Sequence, residues 1–253
     1  MKPFYFGRSS RPLFGVQHEA RGRRLRPGVV ICPPFGQEAL RAHRSLRELA
    51  NGLADAGVPA LRFDYAGSGD SGGGPEDARL ESFVEDAAAA VEEVRESTGE
   101  RCVGLVGLRL GAAVAALAAR RAGGADALVL WEPVADGGAY VGELRAAHAA
   151  WIRDHAPGAA TARGEVLGFA LGPALAADLA DLRLDALEPV PARRVLVAAR
   201  GAEASALWAR NGAVEHRAVP SAQVWLHAEG MSRVLVPGAL LQGLVAWILE
   251  ASG

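Results

Sequence analysis

The chain has 253 residues, 50% of them hydrophobic and 22% charged, with a formal net charge of −2. That length and apolar content suffice for one large α/β core, alone or carrying an inserted cap. The balanced charge, with no basic run or aromatic-basic interleaving able to track a phosphate backbone, argues against a nucleic-acid partner.

In chain order, residues 4–6 and 13–18 read as an opening pair of short strands before a basic turn at 21–26. The first residues are interrupted by Gly7, Arg8 and Arg11 before an apolar signal region can form, and no apolar run reaches membrane-spanning length, so a cytoplasmic protein without a membrane span is expected. Residues 28–32 form a buried strand closed by Pro33 and Pro34. Residues 39–56 place Leu40, Leu46, Leu49, Leu53 and Ala56 near helical spacing, with Gly57 where a C-cap belongs. A strand follows at 58–65, and the glycine-rich stretch 66–75 makes an ordered turn and a loop. Residues 80–97 are helical. The apolar run 102–106 has strand character and the alanine-rich run 112–122 helical character, so Gly107 and Gly111 bracket a sharp turn between them. Residues 127–131 form another strand, stopped at Pro133.

From about 136 to 191 the chain shows two or three helical patterns, including 140–155 and 173–182, and no convincing strand. This is the expected place for a helical cap insertion within a single domain spanning 1–253. The core resumes with a strand at 194–199, a short helix at 203–210, a last strand at 214–219 and an amphipathic helix at 238–251. Strands alternating with helices argue for an α/β fold with a mostly parallel, doubly wound sheet, whose functional residues lie in loops at the carboxyl ends of the strands.

The segment Gly107-Leu108-Arg109-Leu110-Gly111 has the G-x-S-x-G spacing of a strand-to-helix nucleophile elbow, with arginine where the attacking serine belongs. A guanidinium stays protonated and has no electron pair to offer a carbonyl. Together with CPPFGQE at 32–38, RFDYAGSGDS at 62–71 and LWEP at 130–133, this segment carries a resemblance to the α/β-hydrolase superfamily over nearly the whole chain. More narrowly, the chain resembles a bacterial subgroup described as serine aminopeptidase-like or exosortase-system-associated hydrolases, in which arginine at the elbow recurs.

The resemblance implies an oxyanion hole made by the backbone N–H of Phe35 or Gly36 and that of Leu110. It points to Glu203 as the triad acid, with Glu132 as a second candidate, and to His227 as the base, since His216 falls inside a strand and reads as structural. Gln37, Tyr140 and Trp225 are the expected ligand contacts. Trp131 and Trp151 read as packing residues, and His43 and Arg44 as exposed or reaching the rim beside Glu38. Ser68 and Ser71 lie in a turn where hydroxyls bond their own backbone, and neither they nor Cys32 reads as a substitute nucleophile. Cys32 and Cys102 read as small buried strand residues rather than a disulfide. His148 and His155 read as solvent-exposed, and no metal or cofactor is expected.

A guanidinium in a cleft needs a counter-charge, and Glu132, at the end of the neighbouring strand, is the expected partner of Arg109. The pair could plug a dead site, or Arg109 could clamp a ligand carboxylate or phosphate. Three functional readings remain: a protein that binds a small acyl or peptidyl ligand without covalent serine catalysis, an active ester, thioester or amide hydrolase or acyltransferase using activated water or another nucleophile, and a non-catalytic interaction partner.

Overall fold

The computed structural model describes residues 1–22, 27–157, 164–200, 206–219 and 236–251. Its centre is an eight-stranded sheet in the order β1-β2-β4-β3-β5-β6-β9-β10. β1 (Lys2–Arg8) and β2 (Arg11–His18) form an antiparallel hairpin, and β2 also runs antiparallel to β4 (Ala60–Phe63). The remaining strands, β3 (Val29–Cys32), β5 (Gly104–Leu108), β6 (Ala125–Trp131), β9 (Ala192–Ala199) and β10 (Val214–Ala218), pair in parallel. Every residue of β3, β5 and β6 is buried, as a central parallel strand covered on both faces requires.

One face of the sheet packs against α1 (Gln37–Asp55) and α6 (Gly238–Ala251) through Leu46, Leu49, Leu53, Leu244 and Trp247. The other face packs against α2 (Leu80–Thr98) and α3 (Leu110–Arg121). The nearly continuous burial of α3 from Leu110 to Ala119 explains its alanine content, because only small side chains let a helix lie this close to the strands. Between β6 and β9 come α4 (Gly137–His155), a hairpin of β7 (Glu165–Val166) and β8 (Phe169–Ala170), and α5 (Pro173–Ala180). Asp136 caps α4 by accepting from the Ala139 N–H at 2.9 Å, and Pro173 opens α5 at a position where its missing N–H costs nothing. Asp178 of α5 accepts from the Leu80 N–H at 3.1 Å and forms a two-pronged pair with Arg79, so it caps α2 from outside.

Several expectations are corrected. The strand expected at 102–106 begins at Gly104, and Cys102 precedes it in an exposed position. The region expected to lack strands contains the β7–β8 hairpin, too short to show alternation in the sequence. Of the helix expected at 203–210, the described part is helical at 206 and turn structure from 207 to 210. His148 is 8% exposed rather than open to solvent, and its Nδ1 accepts from the Leu167 N–H at 3.1 Å. Among the described residues, no helix is long and apolar enough to cross a membrane.

Candidate active site

β5 hands over to α3 through a single residue. Arg109 has φ 55° and ψ −122°, a region that non-glycine residues enter only when their surroundings hold them there. Its N–H donates to the Trp131 carbonyl at 3.0 Å, and its carbonyl accepts from Ala112 at 3.0 Å and Val134 at 3.3 Å. The two flanking glycines permit the turn. A Cβ on Gly107 would collide with the Gly111 carbonyl and the Ala112 backbone, and one on Gly111 with the carbonyls of Cys32 and Pro33. β5, α3 and the loop after β3 thus meet backbone to backbone.

That loop ends at Gly36, with φ 60°, and α1 starts at once with Gln37 and Glu38. Glu38 is 1% exposed and Arg109 is 7% exposed. Arg109 Nε donates to Glu38 at 2.9 Å, while Nη2 donates to both oxygens of Glu143 on α4 at 2.8 and 2.7 Å. Tyr140, one turn before Glu143, donates its hydroxyl to the second Glu38 oxygen at 2.8 Å and sets its ring 5.4 Å from the guanidinium carbon. Burial acts against the Arg109 charge, but the fields and hydrogen bonds of Glu38 and Glu143 outweigh it and raise its pKa. Burial pushes the Glu38 carboxyl upward, opposed by Arg109 and the Tyr140 hydroxyl. Burial, then the Glu38 charge, lifts the Tyr140 phenol well above its usual range, so it remains a donor.

Glu132, the expected partner, is engaged elsewhere. It follows β6 with φ 46°, and its carboxylate accepts from Arg200 Nε at 2.7 Å. The carboxyl edge of the sheet therefore carries two separate ion-paired groups. The expected pairing failed because several carboxylates reach this edge and backbone direction chooses among them. Glu38 and Glu143 were missed as partners. Their one legible signal was that Tyr140 and Glu143, three residues apart, share a helix face.

Of the other expected site residues, Leu110 is the first residue of α3, where an N–H has no acceptor within the helix. Phe35 packs near Phe83 with ring centroids 6.3 Å apart, and the Phe169 ring of the β7–β8 hairpin lies against Gly36. Gln37 opens α1 beside them, and Tyr140 is buried behind the ion pairs at 2% exposure. Glu203, His227 and Trp225 lie outside the described residues. Ser71 donates to the Asp64 carbonyl at 2.6 Å and accepts from the Phe14 N–H, and Ser68 donates to the Tyr65 carbonyl at 2.8 Å, so both hydroxyls serve the turn. Burial pushes the Cys32 thiol up to about 12, which removes it as a nucleophile. His216 meets the Leu207 carbonyl at 2.8 Å from within β10. Trp131 is buried, whereas Trp151 is exposed and stacks on His155. Among the described residues, no group of three or more His, Cys, Asp or Glu side chains is placed to hold a metal ion.

The sequence matches the family described as serine aminopeptidase, S33, over residues 25–171. Comparison with curated proteins returned no match. Among solved structures, the chain is similar to proline iminopeptidase from Mycobacterium smegmatis, with 16% identity, a TM-score of 0.67 and 99% of each chain covered. It is also similar to Est1E from Butyrivibrio proteoclasticus, with 15% identity, a TM-score of 0.68 and 98% of each chain covered. An esterase of Pyrococcus furiosus is similar at 16% identity and a TM-score of 0.66, covering 100% of this chain and 91% of that one.

Proposed function

Because the chain belongs to the serine aminopeptidase S33 family of α/β-hydrolases, we propose that it is a serine-hydrolase descendant in which Arg109 stands at the nucleophile position and which binds a small acyl or peptidyl ligand without covalent serine catalysis. The observation that carries this reading is the combination of the elbow conformation at Arg109, φ 55° and ψ −122°, with a side chain engaged by Glu38, Glu143 and Tyr140. A guanidinium so held supplies no electron pair, so no acyl-enzyme forms through it.

The same contacts favour a plug over an anion clamp. One guanidinium already faces two carboxylates, and an incoming carboxylate or phosphate must displace Glu143 and approach Glu38. The backbone donors survive the substitution, since the N–H groups of Leu110 and of Phe35 or Gly36 do not depend on the side chain at 109. They suit the neutral carbonyl of an ester, amide or peptide. In this reading α4, the β7–β8 hairpin and α5 form the cap, with Tyr140, Glu143 and Phe169 as its inner surface.

Fluorophosphonate labelling and p-nitrophenyl ester turnover test the reading. The expected result is no labelling of the purified protein and no turnover above background. Stoichiometric labelling of any serine overturns it, and so does turnover that His227→Ala abolishes, which is the signature of an active hydrolase using water or another nucleophile.

A further inference from the structure

A second arginine, away from the elbow, is arranged in a way the proposed function does not use. Arg62 projects from β4 toward α1, and its Nε donates to Nε2 of His18 on β2 at 3.1 Å. Since His18 Nε2 accepts, Nδ1 carries the proton and donates to Asn51 Oδ1 on α1 at 3.0 Å. His18 is 2% exposed, and burial together with the Arg62 charge lowers its pKa to about 4, which keeps the ring neutral. Arg62 is therefore oriented by a neutral acceptor that fixes its Nε edge without an ion pair.

Nη1 and Nη2 of Arg62 have no hydrogen-bond or ion-pair partner among the described residues, and neither is fully buried. His43 and Arg47, one turn apart on the outer side of α1, lie within electrostatic reach of it and of each other. Asp64 is the carboxylate that reaches this group by its field, but it forms no ion pair with Arg62 and its Oδ2 accepts from the Asp70 N–H at 3.1 Å. Burial, then the Arg62 charge, lowers the His43 pKa, and burial lowers that of Arg62 against the raising field of Asp64. By contrast Arg11, Arg79, Arg109, Arg121 and Arg200 all meet carboxylates directly.

A planar fork with one edge tied down and the other presented to solvent is the arrangement that binds a tetrahedral or planar oxyanion through two parallel N–H donors. We propose that Arg62, flanked by Arg47 and His43, forms a binding site for a phosphate group, separate from the elbow. The anion lies on the Nη1 and Nη2 edge of Arg62 and takes its second charge contact from Arg47. His18 and Asn51 act as positioning residues that hold the fork without touching the anion.

Titration calorimetry with inorganic phosphate and with phenyl phosphate tests the site on the 253-residue chain. Saturable one-to-one binding is expected, with Arg62→Lys and Arg47→Gln each weakening it by about tenfold or more, because the first removes the fork and the second removes a charge. Arg101→Gln, an exposed arginine remote from the site, leaves the affinity unchanged. Tighter binding of phenyl phosphate than of inorganic phosphate marks an esterified phosphate as the natural ligand, and equal or weaker binding marks the free ion. No saturable binding of either, or binding that Arg47→Gln leaves intact, overturns the proposal. Arg47 is exposed on α1, so its variant folds whatever becomes of the Arg62 substitution.

Discussion

Arg109 and Arg62 both bring a guanidinium into partly dry surroundings, and the fold treats them in opposite ways. Arg109 is wrapped by two carboxylates and a tyrosine, its charge matched inside the protein. Arg62 leans on a neutral imidazole, and its outer edge meets no carboxylate among the described residues. An arginine neutralised from within is a structural joint, whereas one held in place but unneutralised is prepared for something outside. Burial alone does not tell the two apart, and the partners do.

The largest effect is expected at Arg109. Arg109→Ala leaves the 1%-exposed Glu38 carboxylate without its cation, and the expected loss is about 3–5 kcal/mol in urea unfolding. A loss below about 1 kcal/mol would show that Glu38 is not a buried charge relying on this pair.

Acid should loosen the Arg62 side. His18 has its pKa lowered from 6.5 to about 4 in the fold, so the unfolded chain takes up a proton that the native ring refuses. Stability from this residue is therefore fully present above pH 6.5 and is lost as pH falls toward 4, by about 3 kcal/mol in total. The check is the difference in pH dependence between the protein and His18→Gln over that window, since the carboxylates contribute to both equally. Identical slopes would mean that the imidazole is not held neutral.

The smallest effect is expected from Arg62→Gln. It removes an unpaired charge and one hydrogen bond, and the cost in thermal or urea unfolding is about 1 kcal/mol or less. A loss matching that of Arg109→Ala would place Arg62 among the structural joints and remove the contrast.

The fold was readable because local signals agreed with one another. The glycines at 107 and 111, the proline stop after β3 and the all-apolar strands each pointed to the same parallel sheet, and close backbone contacts explain why those residue types stand there. The elbow was legible for the same reason. The partners of Arg109 were not, because Glu38 and Glu143 lie 71 and 34 residues away in sequence and periodicity carries no information about which carboxylate turns toward which cation. Glu132 stood at the expected strand end, yet its contact is with Arg200. The Arg62 group was equally hidden, since it draws on β2, β4 and α1, whose register is a product of tertiary folding. Cys102 shows the same limit on a smaller scale: it sits at the mouth of an apolar run, while pairing starts two residues later.

The Arg109 joint also bears on descent. One side chain ties the start of α1 to α4. On the proposed reading, a single codon change back to serine deletes the cation that both carboxylates meet. The ancestral residue thus returns to a site that no longer tolerates it. Recovery requires Glu38 or Glu143 to change beforehand or together with it, and neither change confers activity while arginine remains. On that reading the pairing works as a ratchet, with the route back to serine catalysis passing through a less stable protein.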